Sequence, residues 1–166
     1  MKILKLLEEK FNDLDKFEDL LSSLIGDDLE DDQIFTKKAP NVDDSGMKFL
    51  HQFGSGSYSF LMYCKGKDLS GFGPRELFFY NIDDENIGHA RLTKSDKMVS
   101  INMIAFTEGN RNQGFGKEFY KYLLDDLHLD IKSDSEITDG TYHMYMSLAR
   151  EYPFGEESGR AVIYHK

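Results

Sequence analysis

Along residues 99–106 apolar and polar positions trade places. Val99, Ile101, Met103 and Ala105 alternate with Ser100, Asn102, Ile104 and Phe106, a period of two that fades into an apolar run. The pattern predicts a strand covered on both faces. Gly109 and Asn110 end it, and from Gly116 onward Phe119, Leu123 and Leu127, with Tyr120 and Leu124 beside them, recur at helical spacing. A buried strand, a glycine turn and a helix therefore follow one another, and the rest of the chain can be arranged around them.

Residues 2–25 carry Ile3, Leu7, Leu14, Phe17, Leu21 and Leu24 in a helical stripe widened by Leu6, Phe11, Leu20 and Ile25. This predicts one amphipathic helix, or two broken near Asn12-Asp13, packing on the domain or meeting a second copy or a protein partner. Gly26 is the expected stop, Asp27 to Asp32 an acidic loop, and Thr36 to Gly46 a connector. The division implied is an N-terminal helical segment over 1–45 and a main domain over 46–166.

Phe60 to Cys64 reads as an early strand, Ser70 to Pro74 as a turn, and Glu76 to Leu92 as a hairpin with Asp83-Asp84-Glu85-Asn86 at its tip. With the strand at 99–106 these two arms make an antiparallel meander. Leu127 to Ile131 predicts a further strand. A helix follows from Thr138, with Tyr142, Tyr145, Met146 and Ala149 on one face, and Arg160 to Lys166 suits a last strand.

At 166 residues and 40% hydrophobic content, one domain has enough core. The absence of a long apolar run and the early acidic turn of the N-terminus predict a soluble, cytoplasmic protein without a membrane span. Cys64 stands alone, and His51, His128, His143 and His165 lack ligand spacing, so no metal site is expected. A net charge of −10 argues against nucleic acid and anionic membrane as partners. The charge is concentrated: Glu8 to Asp32 holds eleven acidic residues against Lys10 and Lys16.

Phe53-Gly-Ser-Gly-Ser-Tyr-Ser-Phe60 resembles the glycine-rich loop of protein kinases, yet none of the other kinase motifs follows, and a turn before a strand is the expectation. The turn Arg111-Asn112-Gln113-Gly114-Phe115-Gly116 carries more chemistry. Two glycines ahead of a helix let backbone N–H groups approach a ligand, and such a helix start favours phosphate.

Placed after a buried strand, that turn resembles the Arg/Gln-x-x-Gly-x-Gly/Ala signature of the GNAT superfamily of acyl-CoA-dependent N-acyltransferases, through Arg111, Gly114 and Gly116. Ile87-Gly-His-Ala-Arg-Leu92 is similar to that family's third strand, and the Ile131 strand, the Thr138 helix and Phe154-Gly155 resemble its later elements. The resemblance covers residues 76–155. It implies a mixed α/β fold, a twisted and mostly antiparallel sheet flanked by helices, with acetyl-CoA as acyl donor and an amine as acceptor.

It further implies that backbone groups of Ile104, Ala105 and Phe106 hold the pantetheine arm, and that Arg111, Asn112, Gln113, Gly114, Phe115, Gly116 and Lys117 hold the pyrophosphate. A tyrosine on the later helix would protonate the departing thiolate. Thr138, Thr141 and Tyr145 keep the family's Asn-x-x-Ala-x-x-x-Tyr spacing, making Tyr145 the candidate with Tyr142 in reserve. For the base, Ser100 stands where some members carry glutamate, Glu108 lies at the strand's far end, and His89 could serve directly or through water. A cationic acceptor would suit the acidic balance. The alternatives are a GNAT-like binding protein without catalysis, whose acidic helix engages a partner, and an acidic arm that mimics nucleic-acid charge.

Overall fold

Strand β5 (Met98–Phe106) lies inside an eight-stranded sheet of order β1-β2-β3-β4-β5-β6-β8-β7. The other strands are β1 (Met47–Phe53), β2 (Phe60–Lys65), β3 (Gly73–Asn81), β4 (Asn86–Lys94), β6 (Asp130–Lys132), β7 (Phe154–Glu157) and β8 (Arg160–Ile163). The helices are α1 (Lys2–Leu24), α2 (Phe115–Lys121) and α3 (Asp139–Ala149). This computed structural model describes residues 2–26, 46–54, 59–110 and 114–166, without the side chains of residues 2–12 and Glu108. Every strand pair is antiparallel except β5 with β6. The architecture is the expected mixed α/β one.

The predicted meander is present as β3, β4 and β5. Its buried face packs Leu77, Phe79, Ala90 and Leu92 into one core with Phe119 and Leu123. Gly88 belongs to this face because a Cβ there would meet the Phe106 ring at 2.6 Å and the Phe79 ring at 3.0 Å. Arg75 anchors the turn before β3: its guanidinium donates to the carbonyls of Asp68, Ser70, Phe72 and Pro74, so a buried cation is satisfied by backbone carbonyls.

Several expectations need correction. β5 is not covered on both faces along its length: a bulge between Met103 and Ile101 leaves Asn102 exposed and Met103, Ile104 and Phe106 half-buried. The α2 helix is regular only to Lys121, and Tyr122–Asp126 then wind as a π-helical turn closed by Leu127 N–H to Tyr122 C=O. That extra residue turns both Leu123 and Leu124 into the core. The strand expected over 127–131 is only Asp130–Lys132, because His128 takes a positive φ of 53° just before it. β1 was not foreseen. Its register slips between Phe49 and His51, which hides the alternation.

The N-terminal stripe forms one backbone helix without a break. Phe17 and Leu21 are buried in the core, with the Phe17 ring 4.8 Å from that of Phe154. No helix of the described residues is long and apolar enough to cross a membrane. The acidic loop at 27–32, most of the connector and Ser55 to Tyr58 of the glycine-rich stretch lie outside the described residues.

Candidate active site

The sheet opens beside β5. β5 and β6 pair only through Met98–Ser100 and Asp130–Lys132, and the chain then leaves the sheet. Ser133 fixes the departure: its N–H donates to Ala161 C=O and its hydroxyl accepts from Ala161 N–H. Ile137 next forms a parallel bridge with Ile25, held by Ile137 N–H to Leu24 C=O and Gly26 N–H to Ile137 C=O. The loop is thus tied to the end of α1 and drawn away from β5.

Beyond Ser100, β5 has no strand on that side among the described residues. Thr107 N–H donates to Ile87 C=O, flanking the Phe106–Gly88 pair. By antiparallel alternation, the N–H and C=O groups of Ile104 point to the open side. Strand groups that face an opening in place of a neighbouring strand are a template for an extended ligand.

Two adjoining cavities fill the opening and share Ile104, Ala105, Thr138 and Thr141. The first, about 240 Å³, runs past Phe106 to Gly114, Gly116, Lys117 and Met144. Gly114 has a left-handed φ of 80°, and a Cβ on Gly116 would come within 3.3 Å of Met144 Sδ, so a side chain there would narrow the cavity. Lys117 Nζ donates to Ser147 Oγ at 2.8 Å and pairs with Glu151 at 3.2 Å, which holds that exposed carboxylate below its usual range.

The second cavity, about 210 Å³, is bounded by β5, the 133–138 loop and two tyrosines, Tyr120 and Tyr145. Both are fully buried, their rings meeting edge to face at 5.8 Å. Neither hydroxyl has a hydrogen-bond partner of ordinary geometry among the described residues. Burial pushes both phenols up, Tyr145 further through its nearness to Tyr120 and Asp134. Both tyrosines line the second cavity, with their un-ionised hydroxyls closed off from solvent and interacting with each other.

No family model matches the chain, and no curated protein matches it. Solved structures do. One is a protein assigned to the GNAT-family acetyltransferases from Bacteroides thetaiotaomicron, 17% identical, with a TM-score of 0.40 over 59% of this chain and 64% of that one. The match thus spans less than two thirds of that protein's length. Another is a protein assigned as a streptothricin acetyltransferase from Bacillus anthracis str. Ames, in complex with acetyl coenzyme A. It is 13% identical, with a TM-score of 0.38 over 76% of this chain and 88% of that one. At these values the likeness says nothing about chemistry, which has to be read from the cleft.

The cleft brings together most of the residues singled out by the sequence. Ile104, Ala105, Phe106, Gly114, Phe115, Gly116 and Lys117 line the first cavity, and Tyr145 lines the second. Arg111, Asn112 and Gln113 lie outside the described residues. Thr138 caps α3 by accepting from Thr141 N–H at 3.2 Å, so the register that selects Tyr145 is the helix's own. Tyr142 points elsewhere and donates to Glu18 on α1 at 2.9 Å.

His89 lies opposite Ala105 on the neighbouring strand but lines neither cavity. Its ring stacks on Phe78 at 4.7 Å, and Nε2 sits 2.9 Å from Glu76 Oε1. Burial lowers its pKa, opposed by Glu76. Sequence reasoning missed Tyr120, Asp134 and Glu136 as cavity residues. The helical periodicity that places Phe119 and Leu123 in the core takes in Tyr120 as one more core position, and nothing in a loop's sequence says which way its carboxylates face.

Proposed function

We propose that the cleft binds acetyl-CoA and transfers its acetyl group to an amine. The observation that carries this is the pair of adjoining cavities along the open side of β5, one lined by Gly114–Lys117 and the other by Tyr145. An extended donor with amide groups matches the backbone N–H and C=O groups of Ile104. The glycines let an anionic group approach the start of α2, with Lys117 nearby.

When bound, acetyl-CoA supplies the activated acyl group. Backbone N–H groups on the open side of β5 would stabilise charge on the thioester oxygen. Tyr145, kept un-ionised by burial, would donate its proton toward the departing sulfur. The raised pKa keeps the hydroxyl protonated, so that it serves as a hydrogen-bond donor to the negative charge developing on sulfur. His89 is the candidate to receive the amine's proton, reached through solvent because it lines neither cavity. Release of free thiol from acetyl-CoA in the presence of a primary amine tests the reading. It requires wild-type turnover that falls sharply in Tyr145→Phe.

A second reading, binding of acetyl-CoA without transfer, draws on the absence of a carboxylate at Ser100. Donor binding with no thiol release for any amine would favour it.

A further inference from the structure

We propose that the second cavity is the acceptor chamber, and that Asp134 and Glu136 select an amine carrying a second, non-reacting positive charge. The proposal rests on the acyl-transfer reading for the chemistry, but not for the binding. Three observations carry it. The two described cavities differ in their charged side chains: the first has Lys117, already paired with Glu151 at 3.2 Å, whereas the second has Asp134 and Glu136. The second cavity therefore suits a cationic group.

The Asp134 carboxylate is held in place. Ser133 pins the loop to β8, its hydroxyl donates to Asp134 C=O at 3.0 Å, and Asp134 Oδ1 accepts from Ser135 N–H at 2.8 Å. The half-buried Asp134 is thus oriented by its own loop, with Glu136 exposed at the rim. Finally, the wall includes Tyr120 and Tyr145, two polar side chains whose fully buried hydroxyls lack a partner of ordinary geometry among the described residues.

A diamine fits these features. One nitrogen stays protonated against the carboxylates, and the other stands near Tyr145, free to lose its proton and react. A monoamine would forgo that anchor. An amine with a remote carboxylate would meet like charge.

The test is calorimetric titration with 1,4-diaminobutane, n-butylamine and 4-aminobutanoate, in the presence of saturating CoA, which cannot transfer. Wild type, Asp134→Asn and Glu136→Gln are compared, and the same preparations are titrated with acetyl-CoA. The diamine is expected to bind at least about tenfold more tightly than the monoamine. Asp134→Asn should weaken it about tenfold, the loss of a charge-assisted hydrogen bond, with acetyl-CoA affinity unchanged. Equal binding of all three probes, no diamine binding to a wild type that binds CoA, or undiminished diamine binding in both variants would overturn the proposal. Diamine binding that depends on Asp134 in a protein that fails to bind acetyl-CoA would keep the site and remove the acyl-transfer reading instead.

Discussion

Tyr120 and Tyr145 meet edge to face at 5.8 Å with both hydroxyls sealed from solvent, and neither has a hydrogen-bond partner of ordinary geometry among the described residues. Phenylalanine at either place would avoid the cost of burying a hydroxyl without a partner of ordinary geometry.

Tyr145→Phe should therefore separate stability from activity. Removing a buried hydroxyl that lacks a partner of ordinary geometry leaves the fold as stable or more so by about 1 kcal/mol, while transfer falls by ~10²-fold or more. Urea denaturation and initial rates measure the two. A variant that is less stable and equally active would assign Tyr145 to packing. The pH dependence has a definite sign. A phenol raised in the folded state contributes stability that is fully present below its unfolded value, near 10, and is lost as pH rises through the folded value. Wild type should weaken above about pH 10, and Tyr145→Phe less so.

Gly88→Ala tests the coupling between sheet and cleft. The added Cβ would lie 2.6–2.7 Å from Phe106, whose ring must move, and Phe106 lines the first cavity. A loss of about 1–3 kcal/mol in thermal unfolding is expected, together with weaker acetyl-CoA binding. An alanine variant neutral in both would show that the ring yields without cost.

His89 is depressed by burial, so the neutral imidazole is favoured in the folded state. Its contribution to stability is fully present above the unfolded value, about 6.5, and is lost as pH falls through the lower folded value. Removing Glu76, which raises it, should move its NMR titration lower in Glu76→Gln. If His89 takes the amine's proton, the acid limb of kcat/KM lies below about 6.5 and shifts down in the same variant. A limb that ignores Glu76→Gln would point to another base.

Phe17→Ala addresses the N-terminal helix. Phe17 is 3% exposed and packs on Phe154, so its truncation should cost ~3–5 kcal/mol in urea unfolding. A cost below about 1 kcal/mol would mean that α1 contributes little to the domain.

What the sequence disclosed followed local rules. The alternation at 99–105, the glycines at 114 and 116 and the capping threonine at 138 each act within a few residues of themselves, and the family spacing from Thr138 led to Tyr145, which lines the second cavity. What it concealed depends on distant contacts. The bulge in β1 broke the alternation, and the π-helical turn after Lys121 depends on how Leu123 and Leu124 seat in the core. Asp134 reaches the cavity because Ser133 is bonded to Ala161, 28 residues later, a pairing no local pattern records.

The central claim is that the cleft holds acetyl-CoA, and calorimetric titration tests it most directly. Wild type is compared with Gly114→Glu, which puts bulk and negative charge into the glycine turn, and with Gly114→Asn, whose side chain tolerates the left-handed φ of 80° without adding charge. The account predicts one-to-one binding by wild type, retention in Gly114→Asn, and at least about a tenfold loss in a folded Gly114→Glu. No binding by wild type, or equal binding by all three, would contradict it.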